Sequence, residues 1–392
     1  MFFFFSNSSF AKNSTQLLKN ALSMTNKIGL NAYNVIMEND RSIIGDIVKR
    51  NSITEVAEKV FTGPPSHLFI ARLAEISIKI STYDLNSSIP VCQFLPRFIL
   101  FGEEPDILDF FQNIFSENPY AQHIQNNLLK TGFIQFLASS INKASETNHL
   151  GGTALYIVGL YKIIAMAAKS PIFGPYIQSP QTAAELLNRT FPNAPYQIKN
   201  ARWKAILAVI TPQNATSFPK LLDEAKMELG LGPMLFEYQV DAVHLLIRFA
   251  SISQSVSEML KKLNFVSVLG TILQKYPNHT IGHAMVAKAF RDTAKNPILG
   301  PHVYSLLPFI ADAIVNRQQI ILSATSLSLL MELMNYAKSN PSMVQILGTY
   351  ISQTHPCWNY ARSAAEIFSH PYGGPMEETN KPVASTDTPA KI

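Results

Sequence analysis

Apolar residues recur along most of this chain at the three- and four-residue spacing of one helix face, in runs of helical length. Almost no run shows the alternation of apolar and polar residues, bounded by Asn-Gly or Asp-Gly turns, that indicates paired strands. The pattern therefore predicts an all-α fold. The predicted helices cover about residues 42–61, 66–81, 105–117, 120–142, 151–169, 180–190, 196–210, 218–229, 237–253, 255–274, 279–295, 300–315, 318–338, 341–352 and 357–369.

Helix-breaking prolines lie just past several of these apolar runs, at Gly63-Pro64-Pro65, Asn118-Pro119, Ser170-Pro171, Asn296-Pro297 and Asn340-Pro341. Proline cannot continue a helix, because it lacks the backbone N–H and its ring clashes with the preceding turn. These positions are typical of short turns between antiparallel helices.

Two blocks of the chain follow the same plan. In each block an apolar helix leads through a polar break to a second helix, which ends at Gly132 in the first block and at Asn264 in the second. Both residue types suit a left-handed helix end, and the next helix opens with Phe133 or Phe265. The two phenylalanines lie 132 residues apart, or three units of about 44, within the period of armadillo and HEAT repeats. The spacing favours a right-handed α-solenoid of such repeats.

The domain organisation follows from where this pattern holds. Residues 1–40 are predicted to form an N-terminal helical cap with a phenylalanine-rich start, and residues 41–370 one continuous armadillo-like repeat domain. Residues 371–392 are polar and proline-containing, and we expect them to be a disordered tail because they cannot bury enough apolar surface.

Composition narrows the classes of function. The net charge is +5, but the sequence contains no run of three basic residues, which argues against dedicated nucleic-acid binding. The only cysteines, Cys92 and Cys357, are too few for a disulfide framework or a thiolate metal site and suit a reducing compartment. We therefore expect a cytoplasmic protein, with the nucleus as a second compartment. The apolar stretch 155–168 is interrupted by Lys162, which favours a buried core helix over a membrane span.

No motif for catalysis, cofactor binding or metal binding stands out. Gly230–Gly232 lacks the strand and the later glycine of a dinucleotide loop. His279 and His283 share a helix face, but Thr280 stands where a zinc protease carries its catalytic glutamate, so we interpret them as a helix-start residue and a partly buried, hydrogen-bonded histidine. The acidic cluster at 103–109 is interpreted as a helix start, where carboxylates interact favourably with the helix dipole. The sequence thus predicts no catalytic, cofactor-binding or metal-binding residues.

The two tryptophans are the strongest single candidates for partner contacts, because binding hot spots favour tryptophan, tyrosine and arginine. Core packing is the competing interpretation for both. Trp203 lies in an apolar helix, whereas Trp358 precedes Tyr360 and Arg362.

One stretch resembles the SAPS family, regulatory subunits that associate with catalytic subunits of the protein phosphatase 6 type. The similar order runs through Tyr238–Leu246, Met259–Leu269 and Lys275–His283: a helix with paired aliphatic residues, a leucine turn, a helix ending before an aromatic residue, then asparagine and histidine. Three further blocks are similar to other parts of that domain in the same order. They are residues 106–141, 196–212 and 358–380.

Other positions bear on this resemblance. Met1-Phe2 is similar to the Met-Phe-Trp start of the family, with Phe3 in place of the tryptophan. The Gly-Tyr-Met-Gly-His-Leu type stretch of the family is not recognisable around residues 296–312.

The resemblance implies a non-catalytic regulatory or scaffold subunit. It would bind a serine/threonine phosphatase catalytic subunit, direct it to substrates, and contact further scaffold or substrate proteins, without an enzymatic activity of its own. Tyr276, Asn278 and His283 match family positions and, with Trp358, are the candidate partner-binding residues; Asn278 is also placed to cap the following helix. Two alternatives remain: a generic armadillo-like adaptor for transport or cytoskeletal cargo and, with least support, a helical enzyme.

Overall fold

The regular structure of the chain is helical wherever it is described. In this computed structural model the described residues are 14–38, 41–63, 66–84, 86–146, 151–188, 194–294, 296–316 and 319–369. Within these ranges all regular elements are α-helices or short 3₁₀-helices, so the fold is all-α as predicted. The predicted phenylalanine-rich start at 1–5 and the predicted tail at 371–392 lie outside the described residues. Two compact units divide the chain, residues 1–252 and 253–392.

The described part of the first unit contains fifteen α-helices. They are α1 (Ser14–Ala21), α2 (Lys27–Met37), α3 (Arg41–Lys49), α4 (Ser52–Thr62), α5 (His67–Ser81), α6 (Ser88–Phe94), α7 (Pro105–Ile114), α8 (Pro119–Leu128), α9 (Phe133–Ser145), α10 (Gly152–Lys169), α11 (Gly174–Ile177), α12 (Pro180–Leu187), α13 (Tyr196–Val209), α14 (Pro219–Met227) and α15 (Glu237–Ile252). Short 3₁₀-helices at Leu95–Phe101, Leu129–Thr131 and Ala215–Ser217 complete the unit.

The second unit contains eight described α-helices. They are α16 (Gln254–Lys262), α17 (Phe265–Lys275), α18 (Thr280–Ala294), α19 (Gly300–Val303), α20 (Leu307–Val315), α21 (Ile320–Ala337), α22 (Pro341–Tyr350) and α23 (Cys357–Ser369). A 3₁₀-helix at Tyr304–Leu306 joins α19 to α20, so the helix predicted over 300–315 is three short elements.

Left-handed residues divide three helices that the periodicity predicts as continuous. The predicted helices at 42–61, 120–142 and 255–274 are each two α-helices, and the three predictions are wrong in this respect. Asn51, Gly132 and Asn264 lie at the breaks with φ of 51°, 75° and 52°. A left-handed residue cannot continue a right-handed helix, and glycine and asparagine adopt this conformation at the least cost. The left-handed ends predicted at Gly132 and Asn264 are confirmed.

Phenylalanine rings form much of the core of the first unit. Neighbouring rings lie 4.8–6.3 Å apart between centroids, many of them edge to face, which is the favoured geometry for aromatic pairs. Phe133, which opens α9, is fully buried in this series and contacts Phe111 and Phe173. Its counterpart Phe265 is 1% exposed in the second unit. At Gly132 and Asn264, the phenylalanine after the left-handed break therefore anchors the following helix in a core.

Two long helices, α10 and α21, are apolar enough to cross a membrane by length and composition alone. Within the described fold, 44% of the apolar window of α10 and 28% of that of α21 are buried. A core helix passes the same test, so neither is a clear membrane span. The interpretation of α10 as a core helix stays a prediction.

The turns after α10 and α18 share one sequence pattern and one hydrogen-bond arrangement. Ser170-Pro-Ile-Phe-Gly-Pro follows the first helix and Asn296-Pro-Ile-Leu-Gly-Pro the second, 126 positions later. Ser170 Oγ accepts hydrogen bonds from the backbone N–H groups of Ile172 and Phe173, both at 3.2 Å. Asn296 Oδ1 accepts the equivalent pair at 2.9 and 3.0 Å. Each polar side chain therefore fixes its own turn.

The same side chains also bond to an earlier helix of their own unit. Ser170 Oγ donates to Gln125 Oε1 of α8 at 2.5 Å, and Asn296 Nδ2 donates to Ser257 Oγ of α16 at 2.9 Å. Gln125 and Ser257 are buried and lie 132 positions apart, the same spacing as the two phenylalanines. Both units therefore contain the same connection between a turn and a preceding helix.

Each repeated turn contains a glycine where backbone segments approach closely. A β-carbon at Gly300 would lie 2.5 Å from the carbonyl oxygen of Ala294, and one at Gly174 would lie 2.9 Å from that of Ala168. Because the neighbouring atoms are backbone, they cannot move aside without shifting the helix end. We expect Gly300→Ala to lower the free energy of unfolding by about 1–3 kcal/mol, measured as a lower urea midpoint by circular dichroism.

The matched control is Gly348→Ala in α22, where a β-carbon would meet no atom within 4 Å. Alanine favours a helix more than glycine, so this change should raise stability by about 0.5–1 kcal/mol. Equal urea midpoints for the two variants would contradict the close-approach explanation.

Candidate partner-binding sites

The junction between α17 and α18 contains three of the four predicted site residues. Tyr276 follows the last residue of α17, and its side chain is 8% exposed. Its ring meets the ring of His279 edge to face at 6.4 Å, and the ammonium group of Lys275 lies 5.8 Å from the tyrosine centroid. Burial raises the pKa of the Tyr276 hydroxyl. The side chain is thus packed into the junction, with little of it in solvent.

The first turn of α18 is capped by His279. Its Nδ1 accepts a hydrogen bond from the backbone N–H of Gly282 at 2.9 Å. The cap predicted at Asn278 is therefore wrong by one residue, because α18 begins at Thr280 and the capping position directly precedes the helix. Asn278 is exposed. The interpretation of His279 as a helix-start residue is confirmed.

His283 connects the two helices of the junction from inside. It is fully buried, and its Nε2 lies 3.0 Å from the backbone carbonyl oxygen of Tyr276. Burial lowers the pKa of the imidazole, while hydrogen bonds with the backbone of Tyr276 and Ile321 act in the opposite direction. The predicted hydrogen bond of His283 is confirmed, whereas its predicted partial burial is wrong, because the side chain is fully buried.

The three predicted residues of the junction do not form one exposed surface. Tyr276 and His283 are buried, so their side chains offer little surface to a partner. Asn278 is the exposed member of the set. A partner-binding role for the three residues stays a prediction, and Asn278 is the position at which to test it.

Trp358 lies in a separate place, at a groove between α21, α22 and α23. Its indole Nε1 donates to the backbone carbonyl of Ser352 at 2.8 Å, and the ring packs against the core of the second unit. The groove has a volume of about 760 Å³. The indole N–H of Trp358 thus has a hydrogen-bond acceptor within the protein, and the same side chain also lines the open groove.

The chemistry of this groove, called the terminal groove below, is apolar with cations at its edge. Its apolar lining includes Met331, Met334, Leu347 and Ile351 together with Trp358. Lys338 and Arg362 are exposed members of the lining, and no carboxylate belongs to its described residues. Neither cation forms an ion pair with a carboxylate of the described ranges.

A second groove, of about 660 Å³, lies in the first unit between the packed helices α10 and α13. Its lining is also apolar with cations, here Lys162, Lys169 and Lys204, and without a carboxylate among its described residues. Lys204 Nζ is 2.9 Å from Glu237 Oε2, so one of these charges is already paired. Each unit thus presents an apolar surface beside positive charge.

The other residues considered for chemistry have structural environments. Glu104 occupies the position before α7 and Asp106 its first turn, so the helix-start interpretation of the acidic cluster is confirmed. Trp203 is 1% exposed, which confirms its place in the core. Burial raises the pKa of the Cys92 thiol to about 12 and that of Cys357 to about 11, so both are inert buried side chains near neutral pH.

Two features of the structure are missing from the predictions based on apolar spacing. The methionines of the terminal groove recur at helical spacing and are indistinguishable in sequence from core residues. The connection from Asn296 to α16 could have been found, because Pro-Ile-x-Gly-Pro occurs after both Ser170 and Asn296. Repetition of this proline and glycine pattern is a stronger signal than similarity between aliphatic helices.

The histidine in the junction predicts a pH effect. Since burial lowers the pKa of His283 below its ordinary value of 6.5, the unfolded chain binds a proton more readily than the folded one. Its contribution to stability is complete above pH 6.5 and is lost as the pH falls towards the folded-state pKa. The melting temperature should fall less for His283→Gln than for the unchanged protein between about pH 7.5 and 5.5.

The side-chain amide of glutamine can donate a hydrogen bond to the Tyr276 carbonyl in place of the imidazole, and it does not titrate in this pH range. His302→Gln in the same unit is the control, because His302 is exposed. The explanation would be contradicted if His283→Gln retained the full pH dependence, or if the control reduced it equally.

The chain matches no family model and no curated protein. Among solved structures it is similar to an engineered protein, at 13% sequence identity and a TM-score of 0.43, over 91% of this chain and 99% of that chain. A likeness of this degree carries no argument about function.

Proposed function

We propose that this protein is a non-catalytic regulatory subunit that binds a serine/threonine phosphatase catalytic subunit of the protein phosphatase 6 type. The observation that carries the proposal is the surface of the helical units, where open apolar grooves lie beside exposed cations. Such surfaces suit contact with another protein. The ordered resemblance to the SAPS family, strongest over residues 238–283, supplies the identity of the partner.

The proposed architecture is a right-handed α-solenoid of armadillo- or HEAT-like repeats. It is supported by left-handed breaks 132 residues apart and by equivalent turns 126 residues apart, which correspond to units of about 42–44 residues. In such an array each helical pair buries its apolar face against its neighbours and leaves helix ends available along the surface.

The proposed mechanism is geometric. One set of surface residues holds the catalytic subunit, and another holds a substrate or a further scaffold protein, so that the local concentration of substrate rises without a change in the phosphatase chemistry. The protein would act in the cytoplasm and also in the nucleus, without a nucleic-acid partner or a membrane span.

The test is affinity purification of the tagged full chain from its native cells, with the bound proteins identified by mass spectrometry. We expect a phosphatase catalytic subunit among them in every replicate. Its reproducible absence would contradict the proposal, and a stable set of transport or cytoskeletal proteins in its place would favour the armadillo-like adaptor.

A surface variant makes the same experiment specific to the junction. Asn278→Arg places a large cation at the exposed matched position, and Thr271→Arg makes the same change at an exposed position of α17. We expect the first variant to reduce recovery of the catalytic subunit by about tenfold with an unchanged melting temperature, and the second to have no effect. Equal recovery with both variants would remove Asn278 from the contact.

A further inference from the structure

We propose that the terminal groove binds an acidic amphipathic helix of a partner protein. The inference does not depend on the partner being a phosphatase, because it rests on the shape, polarity and charge of one surface within the second unit. Three features carry it: the apolar lining, the arrangement of the two cations, and the helices that form the walls.

The lining is apolar and adaptable. Met331 and Met334 lie three positions apart on α21 and therefore on one helix face, and Leu347 of α22 faces the same groove. Methionine side chains are flexible and polarizable, so they fit apolar groups of different shapes. Val344 is 57% exposed on the α22 wall. This surface leaves apolar area in water that a partner would cover.

Glycine widens one wall of the groove. At Gly348 of α22 a β-carbon would meet no atom within 4 Å, so space lies open above the backbone of this helix. A partner side chain can therefore come close to the α22 backbone between Val344 and Ile351. The volume of about 760 Å³ accommodates several large apolar side chains.

The charge at the groove is positive on two sides. Lys338 directly follows α21, and Arg362 projects from α23. The acidic residues nearest in sequence lie outside the lining. Glu332 forms an ion pair with Arg291 at 2.7 Å. Glu366 lies one helical turn beyond Arg362. Charge complementarity therefore favours an anionic occupant and disfavours a basic one.

The geometry favours a helix as the occupant. The groove is bordered by three helices, and the described part of the unit has no strand edge to which an extended peptide could add. An amphipathic helix presents apolar residues at positions i, i+3, i+4 and i+7, which would enter the lining, while glutamates on its flanks would reach the two cations. Trp358 would then lie at the buried centre of the contact.

The experiment uses the full chain and three labelled peptides of equal length. One is an amphipathic helix with leucine and phenylalanine on one face and glutamate elsewhere, the second has lysine in place of each glutamate, and the third scrambles the first. Fluorescence anisotropy gives each Kd at low salt. We expect the acidic amphipathic peptide to bind at least about tenfold more tightly than either of the others, with an affinity that falls as salt rises.

Charge reversal assigns the binding to the groove. Lys338→Glu with Arg362→Glu should weaken the acidic peptide by at least about tenfold and strengthen the lysine peptide. The matched control reverses the charge of two exposed lysines elsewhere in the same unit, Lys261 and Lys262 of α16. It should leave the affinities for both peptides unchanged. Tryptophan emission should shift on binding in the unchanged protein and not in Trp358→Phe, since Trp203 is buried.

Several results would overturn the inference. The first is equal affinity for the acidic and basic peptides, and the second is an affinity for the acidic peptide that the double charge reversal does not change. The third is a terminal groove occupied by a fatty-acid monomer that neither peptide displaces. The last result would identify a site for a small anionic amphiphile. A purification that yields no phosphatase while the acidic peptide still binds would reject the proposed function and leave this inference standing.

Discussion

Inside each unit, one side-chain hydrogen bond ties a proline turn to an earlier helix: Ser170 to Gln125 in the first unit and Asn296 to Ser257 in the second. The packing within each unit depends on this interaction. Each hydrogen bond is made by a side chain that also bonds to the turn's own amides. Gln125, Ser170 and Ser257 are buried. Buried polar atoms stabilise a fold only when they are paired, because an unpaired one costs about 1–3 kcal/mol. The connection therefore fixes where each long helix ends and how the next one begins.

This constraint decides which residues can meet a partner. The turns and the junction at Tyr276 use their polar groups internally: His279 caps α18 and His283 bonds to the Tyr276 carbonyl. Groups that are already satisfied in this way have little to offer a ligand. The surfaces that remain are the grooves, where apolar side chains and exposed cations lie together. These surfaces are the features on which the proposed regulatory role rests.

The sequence predicts the helices and two of their breaks for clear physical reasons. Gly132 and Asn264 are the residue types that tolerate left-handed conformation, and a buried phenylalanine follows each. Asn51 adopts the same conformation, but apolar spacing continues across it and hides the break. The cap is at His279 instead of the predicted Asn278, because an error of one residue in the start of a helix changes which side chain faces its first backbone amides. The terminal groove could not be predicted, since helical spacing does not distinguish an apolar residue in a core from one that lines a surface.

The most direct test of this account is a double-mutant cycle on the connection in the second unit. Asn296→Ser retains a turn-capping oxygen, as Ser170 has in the first unit, but shortens the reach to α16; Ser257→Ala removes the acceptor. Urea unfolding of the two single variants, the double variant and the unchanged chain gives the coupling free energy. The account predicts a coupling of about 1 kcal/mol. Losses that simply add, with a coupling below about 0.3 kcal/mol, would contradict it.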